Sequence, residues 1–204
     1  MIVDTPLVIG VTGGIGAGKS TVVDAFARRG AVVFSADDAV HRLYGTDDVR
    51  DAVVDRWGDR VLDDESGAVD RSRIADIVFH DEAELRWLEG LLHPLVAREW
   101  VRFVHEQGER DEPPLALVAE VPLLFEAGLK DRYGITVLVT APLDVRLARV
   151  GDRARGSSHA EQRAAQQMGD DEKRVLADFE YVNDGDVSDI AAFVDEVLDK
   201  VAAR

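Results

Sequence analysis

Two hydrophobic rhythms alternate along this chain. Short, nearly continuous apolar runs occur at 7–12 (LVIGVT), 31–34, 115–119 and 135–140. Runs of that length with no polar face predict strands buried on both sides, as in a parallel sheet. Between them the apolar residues recur every three or four positions. Val22, Val23, Phe26 and Ala27 share one face of a helix predicted over 19–29, with Gly30 as the residue past its end. From about 38 to 110 the rhythm is helical throughout. Val49, Val53 and Trp57 recur at steps of four; Leu85, Leu88, Leu91 and Leu92 precede Val96, Trp100, Phe103 and Val104. Pro94 predicts the start of a new helix after His93. Gly67 marks a turn and 108–114 (GERDEPP) a polar loop. After the run at 135–140 the pattern predicts helices to about 179, around an arginine-rich middle. A last helix, capped by Ser188, turns Ile190, Phe193, Val194, Val197, Leu198 and Val201 inward.

Strand, helix and strand in the first 34 residues form a βαβ unit. The expected architecture is α/β: one domain over 1–204 with a parallel sheet, a helical insertion at 38–110 and a lid-like segment at 144–172. Composition narrows the function. The 204 residues are 46% hydrophobic, enough for a sizeable core, and carry a net charge of −16. Such a surface repels nucleic acids and anionic membranes. There is no cysteine, which removes disulfides, thiolate metal sites and thiol nucleophiles. No apolar run approaches the ~20 residues of a membrane helix, and the first residues lack the pattern of a signal peptide. The expectation is a cytoplasmic protein with no nucleic-acid or membrane partner, a monomer or weak homo-oligomer.

Candidate chemistry begins directly behind the first run, at Gly13-Gly14-Ile15-Gly16-Ala17-Gly18-Lys19-Ser20-Thr21. This is the spacing G-x-x-x-x-G-K-[ST] between a strand and a helix. Glycines let the backbone curl closely round an anion. Successive amides then point into one concavity, and the helix adds its positive end. Lys19 reaches β- and γ-phosphates, and Ser20 offers a hydroxyl to Mg²⁺. A guanine-reading N-K-x-D is absent, and Asp64-Glu65-Ser66-Gly67 fits D-x-x-G only in a polar turn. The expectation is a small phosphoryl-transfer enzyme binding ATP and Mg²⁺, the alternatives being another small-molecule kinase or a non-catalytic nucleotide switch.

The strings VTGGIGAGKSTV, FSADDAVHRL, LLHPLV, VPLLFE and EKRVLADF, in that order from residue 7 to about 185, resemble the dephospho-coenzyme A kinase family. That resemblance implies a P-loop three-layer fold, like that of nucleoside monophosphate kinases. It also implies transfer of the γ-phosphate of ATP to the ribose 3′-hydroxyl of dephospho-CoA. Asp37 matches the family's catalytic acid, although the usual Asp-Ala-Asp reads Ser35-Ala36-Asp37 here. Residue type alone leaves a helix cap or a surface acid as the other reading of that position. Glu120 ends the run 115–119 as a metal-water or acceptor ligand would, or simply caps a strand; the family more often has Asp there. Arg149 and Arg153 match paired lid arginines, one for phosphate and one for adenine. Together with Arg146 they lie near one helical face, which is alternatively a solvated charged face. Arg163 is a weaker candidate. Asn183 matches an adenine-pocket asparagine, and Arg71 an acceptor-domain arginine that equally fits a helix start. His93 is either a structural hydrogen-bonding residue or a substrate contact. Trp57, Trp87 and Trp100 fit core faces better than adenine platforms. The expected catalytic set is therefore Asp37, Lys19 and Arg149.

Overall fold

The computed structural model describes residues 6–153, 168–184 and 188–202, the side chains of 150–153 excepted. Five strands form one parallel sheet in the order β2-β3-β1-β4-β5. These are β1 (Leu7–Gly13), β2 (Val32–Phe34), β3 (Ala116–Glu120), β4 (Ile135–Thr140) and β5 (Phe179–Val182). The helices are α1 (Lys19–Arg28), α2 (Ala36–Tyr44), α3 (Asp47–Trp57), α4 (Arg71–His80), α5 (Glu82–Gly108), α6 (Leu143–Arg153), α7 (Asp170–Leu176) and α8 (Ile190–Ala202). The chain divides into two compact units, one comprising Met1–Phe34 with Val104–Arg204, the other Ser35–Phe103.

In the first unit the central strands are buried on both faces, which is why their sequences read as unbroken apolar runs. Side chains of a strand alternate between faces. Ile9 and Val11, Ala116 and Val118, and Ile135, Val137 and Val139 all join one core with Val22 and Phe26 of α1 and Val194 and Val197 of α8. The intervening Leu117 and Leu138 are equally buried but lie outside that cluster. The α/β class and parallel sheet follow the sequence expectation. β5 does not: the pattern predicts helices over 142–179 and no strand behind them, yet Phe179–Val182 pairs with β4 from Val137↔Phe179 to Thr140↔Val182. It is a short edge strand whose Glu180 and Val182 are not buried, so it lacks the full apolar signature of a central strand. The last helix also starts later than Ser188 implied. Asp189 precedes it, and the Asp189 carbonyl accepts the Phe193 N–H.

The second unit has its own core, built from Leu43, Tyr44, Val49, Val53, Trp57, Val61, Ile74, Val78, Leu88 and Leu92. Pro94 does not begin a helix; it lies inside the 27-residue α5. A proline there forfeits its bond to the carbonyl four residues back, that of Gly90. Gly90, His93 and Pro94 are all exposed, so water can hydrate that carbonyl and the helix continues. Trp57 is buried, Trp87 packs edge-on against it at 4.9 Å, and Trp100 stacks on Phe103. All three serve packing.

Glu84 joins two of these layers. It accepts from Trp57 Nε1 at 2.9 Å and from Arg56 at 2.8 and 2.9 Å. The Arg56 hydrogen bond, then that of Trp57, holds its carboxyl below the ordinary 4.5. A depressed folded value contributes stability that is present above the unfolded pKa and lost as pH falls through the folded one. The melting temperature should therefore begin to fall as pH drops below about 4.5. Glu84→Gln should lower the plateau and soften the acid limb in a thermal-melt series across pH; an unchanged limb would show that Glu84 contributes nothing to it.

Candidate phosphate-binding site

The first unit brings together the loop 13–18, the carboxyl ends of β3 and β4, and residues of α6, α7 and β5. At its start Gly13 has φ +147°, and a Cβ there would lie 2.1 Å from the Val139 carbonyl oxygen. At its end Gly18 has φ +91°, and a Cβ would lie 2.1 Å from Asn183 Nδ2. Both sites exclude a side chain, by backbone conformation and by space. Gly18 is the N-cap of α1 and supplies no side-chain cap.

The carbonyls of Gly14, Ile15, Gly16 and Ala17 are all engaged. Gly14 O accepts from Ala17 N–H at 3.2 Å and from Lys19 Nζ at 3.3 Å. Ile15 O accepts from Arg146 Nε at 3.0 Å. Arg149 Nη1 donates to Gly16 O at 3.3 Å and Ala17 O at 3.4 Å, while its Nη2 donates to Asn183 Oδ1 at 2.9 Å. Asn183, only 2% exposed, completes the brace by donating from Nδ2 to Ala17 O at 3.0 Å. By contrast, the N–H groups of Ile15, Gly16, Gly18, Lys19 and Ser20 have no partner among the described residues. Carbonyls tied back and amides left as donors at a helix N-terminus make an anion cradle.

Lys19 is buried at the mouth of this cradle. Its ammonium lies 3.7 Å from Glu120 Oε1, an ion pair too long for a good hydrogen bond. Burial pushes the lysine's pKa down; Glu120 opposes this, and the charges of Lys173 and Arg146 reinforce it. Glu120 is 38% exposed in its side chain and keeps coordinating capacity at the end of β3. Ser20 is exposed in the first turn of α1, followed by half-buried Thr21. Arg146 is in turn held by Asp170 Oδ2 at 3.0 Å, so α7 steadies α6. Next to it Lys173, wholly buried, lies 2.9 Å from Glu126 Oε1, which also accepts from Met168 N–H at 2.8 Å.

The sequence places Arg146 on the arginine face but not in the expected site, yet its 3.0 Å bond to the loop is shorter than those of Arg149. The signal was the spacing of three between Arg146 and Arg149. Arg153 ends α6, but its side chain lies outside the described residues, and so does Arg163.

The remaining expected residues belong to the second unit. Ser35 is the N-cap of α2, its Oγ accepting from Asp38 N–H at 3.1 Å. Serine caps as well as aspartate, so the substitution Ser35 for the family's acid preserves the helix start. It also relieves Asp37 of any capping duty, and the Asp37 side chain is exposed in the first turn. Arg71 is exposed at the start of α4, its Nη1 donating to His41 Nδ1 at 3.2 Å. His93 is exposed on α5. Among the described residues no cluster of three or more His, Cys, Asp or Glu could hold a metal. No helix there is long and apolar enough to cross a membrane.

Residues 7–189 match the sequence profile of the family described as dephospho-CoA kinase. A Mesorhizobium japonicum protein named dephospho-CoA kinase is 37% identical over 202 residues, 97% of this chain and 98% of that one. The crystal structure of a Thermus thermophilus protein matches with a TM-score of 0.76 at 32% identity, covering 97% of this chain and 98% of the other. The dephospho-CoA kinase of Campylobacter jejuni shares the fold, with a TM-score of 0.67 at 22% identity over 97% and 98% of the two chains.

Proposed function

The chain belongs to the dephospho-CoA kinase family, and on that premise we infer that it transfers the γ-phosphoryl group of ATP to the ribose 3′-hydroxyl of dephospho-CoA. The products are coenzyme A and ADP. The observation that carries the reading is the cradle of unpaired amides closed by buried Lys19, whose carbonyl side is braced by Arg146, Arg149 and Asn183.

In this reading residues 13–21 hold the triphosphate and Lys19 spreads charge from its β- and γ-oxygens. Arg149, and Arg153 four positions later in sequence, neutralise the group in flight or contact adenine, which Asn183 helps to seat. Asp37 takes the proton of the 3′-hydroxyl as the hydroxyl oxygen bonds to γ-phosphorus and the bond to ADP breaks. Arg71, His93 and Glu120 are assigned to the acceptor, and the helical segment 38–110 and the lid 144–172 to binding it and shielding it from water. We place the reaction in the cytoplasm.

Magnesium is also part of the proposal. The donor set fits it: one exposed serine hydroxyl and one partly exposed glutamate, with no all-protein cage, suit an ion that keeps most of its waters and binds mainly through phosphates. Ser20 would hold it, and its chemistry would be to offset charge on the phosphates. The test is coupled ADP release with and without dephospho-CoA. Release that depends on dephospho-CoA is expected; release with AMP or a nucleoside but not dephospho-CoA would overturn the assignment, as would nucleotide binding without turnover.

A further inference from the structure

We infer that His41 is a positioning residue which holds Arg71 as an anion-binding group for the diphosphate of the acceptor, on the helix face that carries Asp37. This rests on the reading of the chain as a dephospho-CoA kinase. Every observation behind it lies within the second unit.

Asp37, His41 and Tyr44 stand at i, i+4 and i+7 on α2, which is one face of a helix. Arg71 comes to that face from α4. Its Nη1 is 3.2 Å from His41 Nδ1. Its charge is also felt at Tyr44, where burial pushes the phenol up and Arg71 pulls it back. The guanidinium therefore meets, at His41 and Tyr44, the helix face on which Asp37 stands one turn earlier.

Two features set Arg71 apart from its neighbours. It occupies the first helical position of α4, the positive end of the helix dipole, where a cation is disfavoured. It also has no carboxylate partner among the described residues, in a chain carrying 40 acids against 24 bases. The adjacent Asp70 is committed elsewhere, accepting from Ser72 N–H at 2.8 Å, Ser72 Oγ at 2.6 Å and Arg73 N–H at 3.3 Å, with Arg73 Nε at 3.3 Å from its other oxygen. Arg73 is in turn paired to Asp64 at 2.8 Å. One arginine is thus neutralised twice, while the other is left to a histidine.

That histidine bond has a defined sense. Arginine only donates, so Nδ1 must accept and the ring proton must sit on Nε2. A neutral ring orients the guanidinium without cancelling its charge, as a carboxylate would. An exposed, oriented, uncancelled arginine selects a multiply charged oxyanion. The acceptor supplies one in its diphosphate, on the ribose that bears the 3′-hydroxyl assigned to Asp37.

The experiment is steady-state kinetics of the full chain with ATP and dephospho-CoA, on the parent, His41→Ala, His41→Asn, Arg71→Met and the double variant His41→Ala/Arg71→Met. Melting temperatures are taken alongside. His41→Ala should raise KM for dephospho-CoA about tenfold and Arg71→Met about 10- to 100-fold, with KM for ATP unchanged. His41→Asn, whose amide oxygen can replace Nδ1 as acceptor, should recover most of the loss. The double variant should be no worse than Arg71→Met alone, because His41 acts only through Arg71. An unchanged acceptor KM in His41→Ala, or a double variant with multiplied losses, overturns the inference. Should His41→Ala not fold, the acceptor KM of His41→Asn against that of Arg71→Met decides it: near-parental supports, equal loss rejects. A parent that shows no turnover with dephospho-CoA would instead remove the functional reading itself.

Discussion

Lys19→Met should lower kcat/KM about 10³-fold while leaving the melting temperature unchanged or slightly raised. The two halves of this result have one cause. Lys19 is buried among groups that make its charge costly: burial and the charges of Lys173 and Arg146 all lower its pKa, and only Glu120 at 3.7 Å opposes them. A folded value below the unfolded one means that keeping the lysine protonated at neutral pH opposes folding, a cost that fades only as pH rises past the folded value. Methionine keeps the aliphatic stem and removes that cost. Glu120 loses a distant counter-charge but is 38% exposed in its side chain, so water can solvate it. What disappears is the mobile point charge that meets the γ-phosphate when negative charge moves onto the bridging oxygen. Side-by-side kinetics and thermal melts check both halves. Activity within a few-fold of the parent would remove Lys19 from the mechanism; a large fall in melting temperature would recast it as a structural residue.

Asp37→Asn should cost about 10²- to 10⁴-fold in kcat with little change in either KM. The amide has the carboxylate's shape and still accepts a hydrogen bond from the 3′-hydroxyl, but it cannot take the proton. Folding should be unaffected, because Asp37 is exposed and the cap of α2 is Ser35. Nucleotide affinity should persist, which separates this variant from changes in the glycine loop. A kcat within tenfold of the parent, with intact ATP binding, would leave Asp37 as an orienting group at most. Restoring the family's acid by Ser35→Asp makes a useful companion, since aspartate can cap the same helix.

Much of this was legible because it is local. A loop between a buried run and an amphipathic helix declares its conformation through Gly13 and Gly18, and Lys19 and Ser20 follow by spacing alone. Helix faces such as Val49-Val53-Trp57 were equally plain. What escaped depended on partners distant in sequence. Nothing around Arg146 states that its Nε will meet a carbonyl 131 positions earlier. β5 is strand-like only once β4 offers an edge, and of its four residues only Tyr181 is buried. Pro94 carries a strong local rule that solvent exposure of the Gly90 turn suspends. No local pattern points from His41 on α2 to Arg71, 30 positions later, which α4 brings to it.

The order of the strands has a consequence for the growing polypeptide. Among the described residues β1 pairs only with β3 and β4, and β2 only with β3. Before residue 116 leaves the ribosome, neither of the first two strands has a mate. The apolar cluster of the second unit, whose last buried member is Leu92, is by then already synthesised. Translation thus delivers the helical interior complete while the segment bearing the phosphate cradle still waits for its neighbours.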